Sequence, residues 1–160
     1  MNVTNDQIVQ YIIVNKGLHM SAGKLAAQVS HASMAFLSRA IAAGIDRDEQ
    51  GYGKAIETTD GKQMYHCDML LDRRIVDDWI GGIFTKIILE VKSEPKLLHV
   101  IGSVQEAGLV EGIDFFPIRD ACLTELTPDE TGSRLTCVGF APMPKSKMHD
   151  IAGKLQLYHG

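Results

Sequence analysis

Apolar positions along the chain alternate between short continuous runs and helically spaced stripes. Tyr11, Ile12, Ile13 and Val14 form an unbroken run within Gln10–Asn15, which predicts a strand covered on both faces. Lys16 to Met20 reads as a loop. Ser21 opens a helix reaching about Ala43, rich in Ala and Leu, with Gly44 as a C-cap. From Ile45 to Asp78 the periodicity weakens and charge rises. Thr59-Asp60-Gly61-Lys62, set between Ala55-Ile56 and Met64-Tyr65, predicts a hairpin turn, followed by a helical turn into Trp79.

A second strand is expected over Phe84 to Val91. A helix then follows over Pro95 to Ala107, carrying Leu97, Leu98, Val100, Ile101 and Val104 and stopped by Gly108. Phe115 to Arg119 and Leu135 to Phe140 are the third and fourth strands, separated by the polar segment Asp120 to Arg134. Pro144 to Leu157 reads as a last helix, solvated through Lys145, Lys147 and Lys154. Strands alternating with helices predict the α/β class, as a three-layer α/β/α sandwich around a small, mostly parallel mixed four-stranded sheet.

With 160 residues, 45% of them hydrophobic and 22% charged, the chain is expected to form one domain over 1–160 with an inserted excursion at about 45–78. No charged-then-apolar leader opens it, and its apolar runs are short, so the expectation is a soluble, unprocessed protein with no membrane partner. Cys67, Cys122 and Cys137 are odd in number and lack metal-ligand spacing, which points to a reducing cytoplasm and to no metal. The net charge of −4 argues against indiscriminate phosphate binding, so any nucleic-acid contact must come from a local patch.

The candidate chemistry begins in Gly23-Lys24-Leu25-Ala26-Ala27-Gln28-Val29-Ser30-His31. Lys24, Gln28 and His31 sit at i, i+4 and i+7, so their polar tips share one helical face. Near a helix start, a lysine can meet a phosphate or a developing oxyanion, and an ordinary solvated lysine is the plain alternative. Gln28 can orient a water or a ribose hydroxyl. His31, deeper in the Ala-rich segment, reads more readily as a satisfied structural histidine than as a base.

Asp120 directly follows a predicted strand, within reach of an ion pair with Lys24. So paired it stays ionised, and its role is to orient a group or a water. Thr124, four residues later, is a candidate for positioning water or for stabilising a turn. Cys122 suggests a thiol nucleophile with His31, His66 or His99, although a buried inert cysteine explains it as well. Glu106, Glu111 and Asp114 fit a solvated helix end and loop. Tyr52, Tyr65 and Trp79 could stack on a base, but packing accounts for them more simply.

Together these residues resemble the peptidyl-tRNA hydrolases of the second type. The similarity runs from Gln10-Tyr11-Ile12-Ile13-Val14 through Gly23 to Ala32, and resumes at Trp79 and at Lys86-Ile87-Ile88-Leu89. It continues at Glu106-Ala107-Gly108-Leu109, Asp120-Ala121 with Thr124, and Thr136 to Pro142, and closes at Gly153-Lys154-Leu155-Gln156-Leu157-Tyr158. Several motifs in one order are far more specific than any one alone.

The resemblance implies a cytoplasmic enzyme that hydrolyses the ester between a peptide, or an N-blocked amino acid, and the 3′-terminal ribose of tRNA. It implies no cofactor, and a monomer or homodimer is expected. It assigns catalytic positions to Lys24, Gln28, Asp120 and Thr124, and substrate contact to Thr136, with His31, His19 and Arg119 as further candidates. Two alternatives stay open: a non-catalytic member of the same fold that binds a protein or a nucleotide, and a hydrolase of another ester or amide using Cys122.

The chain also departs from the family's usual pattern. His19 and Ala22 stand where lysines are common and Gly17 where an acid is common. The segment Asp120-Ala121-Cys122-Leu123-Thr124-Glu125 carries Cys, Leu and Glu in place of Gly, Arg and Gln. The last two changes make the neighbourhood of Asp120 less attractive to phosphate, and Arg119 could offset part of that loss. The excursion at 45–78 is longer than the usual connection and could lie over the site as a lid or form an interface.

Overall fold

The structure, a computed structural model, describes residues 6–159. In chain order it contains strand β1 (Ile8–Asn15), a 3₁₀ turn at Lys16–Leu18, helix α1 (Ala22–Gly44), and strands β2 (Ala55–Glu57) and β3 (Gln63–Tyr65). A π-type helical segment at Ile75–Ile83 follows, then β4 (Lys86–Val91), α2 (Glu94–Glu106), β5 (Phe115–Asp120) and β6 (Arg134–Phe140). The chain finishes with β7 (Met143–Pro144), a 3₁₀ turn at Lys145–Met148, α3 (His149–Ala152) and β8 (Gln156–Leu157).

The α/β layering is as expected. Ile12 and Val14 pack with Ala32 toward α1, while Tyr11 and Ile13 pack with Leu97, Val100 and Val104 of α2 and with Met148 and Ala152 on the other side. Every residue of β1 is buried, because this central strand is covered on both faces. Its one internal polar side chain, Gln10, is fully paired. Its amide donates to the carbonyls of Ser33 at 2.8 Å and Phe140 at 3.0 Å, and its oxygen accepts from Ser33 Oγ at 3.1 Å. These bonds tie α1 to the sheet.

The sheet itself differs from the expectation of four mostly parallel strands. It has six, in the order β5-β6-β1-β4-β8 with β7 paired to β1, and among these pairings only β1–β4 is parallel. The extra strands are two-residue pieces that carry no readable alternation. β7 lies at the start of the expected helix over Pro144–Leu157, and that helix is instead a 3₁₀ turn, one turn of α-helix, and β8 on the edge of β4, where Leu157 lies opposite Leu89. Met148 and Ala152 supply an apolar i, i+4 pair for a single turn, and beyond Gly153 the open edge of β4 takes the backbone.

β4 begins at Lys86 rather than Phe84, because Phe84 has a left-handed backbone (φ 60) and ends the helical segment before it. Gly44 is the last residue of α1 and Ile45 its C-cap. Gly108, at φ 86, follows α2 as expected.

α1 lies unusually close to β6. A Cβ on Gly139 would fall 2.2 Å from the carbonyl oxygen of Ala32, so this contact requires glycine on the strand and a small residue on the helix. The excursion leaves from the other end of α1. Its hairpin is anchored by the Ile45–Cys67 bridge and by the Asp68 N–H donating to Gly44 O at 3.0 Å. Lys24 and Gly44 bound most of α1, and at 1.5 Å per residue that separation is about 30 Å. The hairpin is therefore anchored at the end of α1 opposite the first turn.

Tyr52 and Tyr65 are exposed there, whereas Trp79 is 2% exposed and packs on Phe36 and Phe84, with its indole N–H donating to Thr85 O at 2.9 Å. Among the described residues no helix is long and apolar enough to cross a membrane.

Candidate active site

Asp120 is the last residue of β5, and with Phe116 and Ile118 it lies on the strand face turned toward α1. Its Oδ1 accepts the backbone N–H of Cys122 at 2.9 Å, an Asx-type turn that fixes the carboxylate as the strand ends. Its Oδ2 meets Lys24 Nζ at 2.6 Å and accepts Gln28 Nε2 at 2.8 Å. The expected i, i+4 pair on α1 thus converges on one oxygen of the expected aspartate.

Gln28 is 3% exposed, and Thr136 continues the chain of bonds. The Thr136 hydroxyl lies 2.7 Å from Gln28 Oε1 and 3.1 Å from the carbonyl of Ile118. With its oxygen held by Thr136, Gln28 must present its NH₂ to Asp120. Thr136 reaches this position because β6 bulges. Ile118 pairs with Cys137 and Arg119 with Leu135, which leaves Thr136 as the extra residue and turns its side chain onto the α1 face.

Hydrogen bonds from Lys24 first, and from Cys122 and Gln28 as well, hold the Asp120 carboxyl below the usual carboxylate range despite its partial burial. A carboxylate with three donors is a poor base near neutrality and a good positioner of an ammonium. Lys24 Nζ also lies 3.4 Å from Thr124 Oγ1, so cation and hydroxyl share one edge of the site.

The start of α1 is fastened from across the loop. Ser21 is the N-cap and accepts Lys24 N–H at 3.3 Å, while its own N–H and hydroxyl donate to the two Glu125 oxygens at 2.5 and 2.6 Å. These bonds hold the Glu125 carboxyl below its ordinary range. The pair lies 104 residues apart, and neither residue stood out as a candidate in the sequence. The available signals were a serine ahead of an Ala-rich helix and Glu125 standing where the family carries Gln.

Arg119, His19 and His31 lie outside this bonded cluster. Arg119 points across the strand to Asp129 at 3.3 Å, with Thr131 and Ser133 close by. His19 is exposed, with a left-handed backbone (φ 48) closing the 3₁₀ turn. His31 is exposed rather than buried in the helix packing, and it lines a groove between α1 and β5. Cys122 Sγ donates to the carbonyl of Asp120 at 3.4 Å rather than to an imidazole, and burial pushes the Cys137 thiol up to about 12.

Residues 8–158 match the family model described as peptidyl-tRNA hydrolase PTH2. The chain belongs to this family. It is similar to the peptidyl-tRNA hydrolase of Methanopyrus kandleri, 29% identical over 148 residues, which span 92% of this chain and 96% of the relative. The peptidyl-tRNA hydrolase of Staphylothermus marinus is 31% identical over 153 residues, 96% of this chain and 97% of its own. That of Haloquadratum walsbyi is 29% identical over 149 residues, 93% and 98%. The PTH2 match takes in α1, β5 and β6, the three elements that supply the bonded cluster.

Proposed function

We propose that this PTH2 chain hydrolyses the ester between a peptide, or an N-blocked amino acid, and the 3′-terminal ribose of tRNA, with Lys24, Gln28, Asp120 and Thr124 as the working residues. The observation that carries the reading is the bonded chain Thr136–Gln28–Asp120–Lys24, which places one ammonium, fixed by a carboxylate, beside an exposed threonine hydroxyl. Thr124 and Asp120 orient a water toward the ester carbonyl. Lys24 stabilises the negative charge that builds on the carbonyl oxygen as the water attacks. The ester C–O bond then breaks: one water proton ends on the ribose oxygen and the other leaves to solvent, giving a peptide carboxylate and a free ribose hydroxyl.

The main effects are positioning and electrostatic preorganisation, with no covalent intermediate. The proposed substrate arises during translation, so the reading puts the enzyme in the cytoplasm, with tRNA as partner. Nothing in the comparisons favours a non-catalytic role. Release of a labelled acetyl-aminoacyl group from tRNA by the purified chain tests the proposal. Release well above that of Asp120→Asn is expected, and release no faster than that variant overturns it.

A further inference from the structure

The elements that build the bonded cluster continue beyond it as a groove. Lys24, Gln28, His31, Ala35 and Arg39 follow one another along a single stripe of α1. His31, Ala35 and Arg39 form one wall of a cavity of about 290 Å³, and Phe116, Pro117 and Ile118 of β5 form the other. The groove therefore starts one helical turn from Gln28 and two residues along the strand from Asp120. Its floor is apolar, with Phe116 6% exposed.

Its charges oppose one another, because Glu111 lines the cavity together with Arg39. A phosphate bound there would face a carboxylate as well as a guanidinium, while a neutral chain with apolar side chains meets no such conflict. β5 is also the edge of the sheet; at Phe115 that edge is taken by the chain's own loop, with the Gly112 N–H donating to Phe115 O at 2.8 Å, so an extended chain laid in the groove meets the edge from Pro117 onward. Pro117 removes one donor from that edge, which disfavours open-ended sheet pairing.

We infer that the α1–β5 groove receives the peptide portion of the substrate, the residues next to the scissile ester, and leaves the tRNA to the other side of the cluster. This rests on the hydrolase reading above. The volume is near the lower end of ligand pockets, about 300 to 1,000 Å³, which suits a short stretch of chain rather than a long one.

Two substrates separate the inference from its basis: acetyl-aminoacyl-tRNA and a tetrapeptidyl-tRNA bearing the same aminoacyl residue. Ser38 is an exposed residue lining the groove, and Ser38→Trp fills it; Ala35→Leu is a second, smaller obstruction. In variants that melt at the parent's temperature, kcat/KM for the tetrapeptidyl substrate relative to the acetyl substrate is expected to fall about tenfold, mainly through KM. An equal fall on both substrates, or an unchanged ratio in both variants, overturns the inference. A parent chain inactive on both substrates overturns the hydrolase reading instead.

Discussion

Lys24 Nζ and Asp120 Oδ2 are 2.6 Å apart, and their side chains keep only 14% and 11% of their exposure. An ion pair this withdrawn from water is costly to break from one side, because the remaining charge keeps its desolvation without its partner.

Lys24→Ala removes the only cation bonded to Asp120 among the described residues. A loss of kcat of about a hundred- to a thousandfold is expected, the usual effect of deleting one oxyanion donor. Lys24→Arg, which keeps the charge and changes the reach, should recover only part of it. Single-turnover hydrolysis measures both, and a Lys24→Ala enzyme with parental kcat would sink the assignment.

Thr136→Val keeps the shape and removes the hydroxyl that holds Gln28 Oε1. The buried amide is then free to turn its oxygen toward Asp120. We expect a loss of about 1–3 kcal/mol in stability, from the unpaired buried acceptor, together with a drop in kcat. Thr136→Ser should restore both. Stability and kcat unchanged in the valine variant would show that Gln28 is oriented by other contacts.

Cys122 has a backbone φ of 56, in the region that favours glycine, and its N–H still holds Asp120 Oδ1. Cys122→Gly should relieve local strain and raise stability by about 1 kcal/mol, after allowing for the greater freedom of glycine in the unfolded chain. The same variant should retain hydrolysis, since the turn needs only the backbone N–H. Denaturant melts and a rate assay decide it, and an inactive glycine variant would bring the thiol back into the chemistry.

The Asp120, Glu125 and Asp129 carboxyls all sit below their usual range, held by hydrogen bonds from Lys24, Ser21 and Thr131 respectively, and Asp129 is lowered to about 2. Carboxyls depressed by folding contribute stability that is complete above about pH 5 and is lost as the pH falls through their folded values, because the unfolded chain takes up the proton first. Parent and Asp129→Asn melting temperatures should therefore differ at neutral pH and converge as the pH approaches about 2. A constant gap across that window would contradict the linkage.

The exposed Ile56 and Met64 stand on the hairpin, whose anchor at Gly44 is about 30 Å along α1 from Lys24. Ile56→Ser with Met64→Ser should leave kcat on acetyl-aminoacyl-tRNA within about twofold of the parent, the range expected of a distant and independent site. A larger loss of kcat would mean that the hairpin reaches the chemistry after all.

The central strand and α1 were legible because Tyr11 to Val14 and the Ala-rich stretch after Ser21 obey simple periods. The Lys24–Asp120 pair followed from placing one residue at a helix start and the other at a strand end. Gln28 could be put on the right face, but its bond to Thr136 could not be foreseen. That contact depends on a one-residue bulge in β6, and a strand buried on both faces has no alternation in which a bulge would show. The Ser21–Glu125 clasp was hidden for a different reason, since it joins two polar residues across a loop without periodicity. The closing segment was misjudged because two-residue strands are decided by an open sheet edge, which no local pattern records.

The position of the excursion also shapes how a polyanion meets the molecule. Residues 45–78 hold nine Asp and Glu against five Lys and Arg, so the whole net charge of −4 belongs to them and the rest of the chain is balanced. Six of these acids and three of the cations fall in residues 45–68, which leave from the Gly44 end of α1 while the cluster lies at the Lys24 end, so the protein has an electrical polarity along that helix. A nucleic acid arriving hairpin-first is repelled more than one arriving at Lys24, whose charge Asp120 balances. At low ionic strength the fold thus sorts encounters by direction without attracting tRNA overall, a bias that salt removes as the screening length falls below about 10 Å.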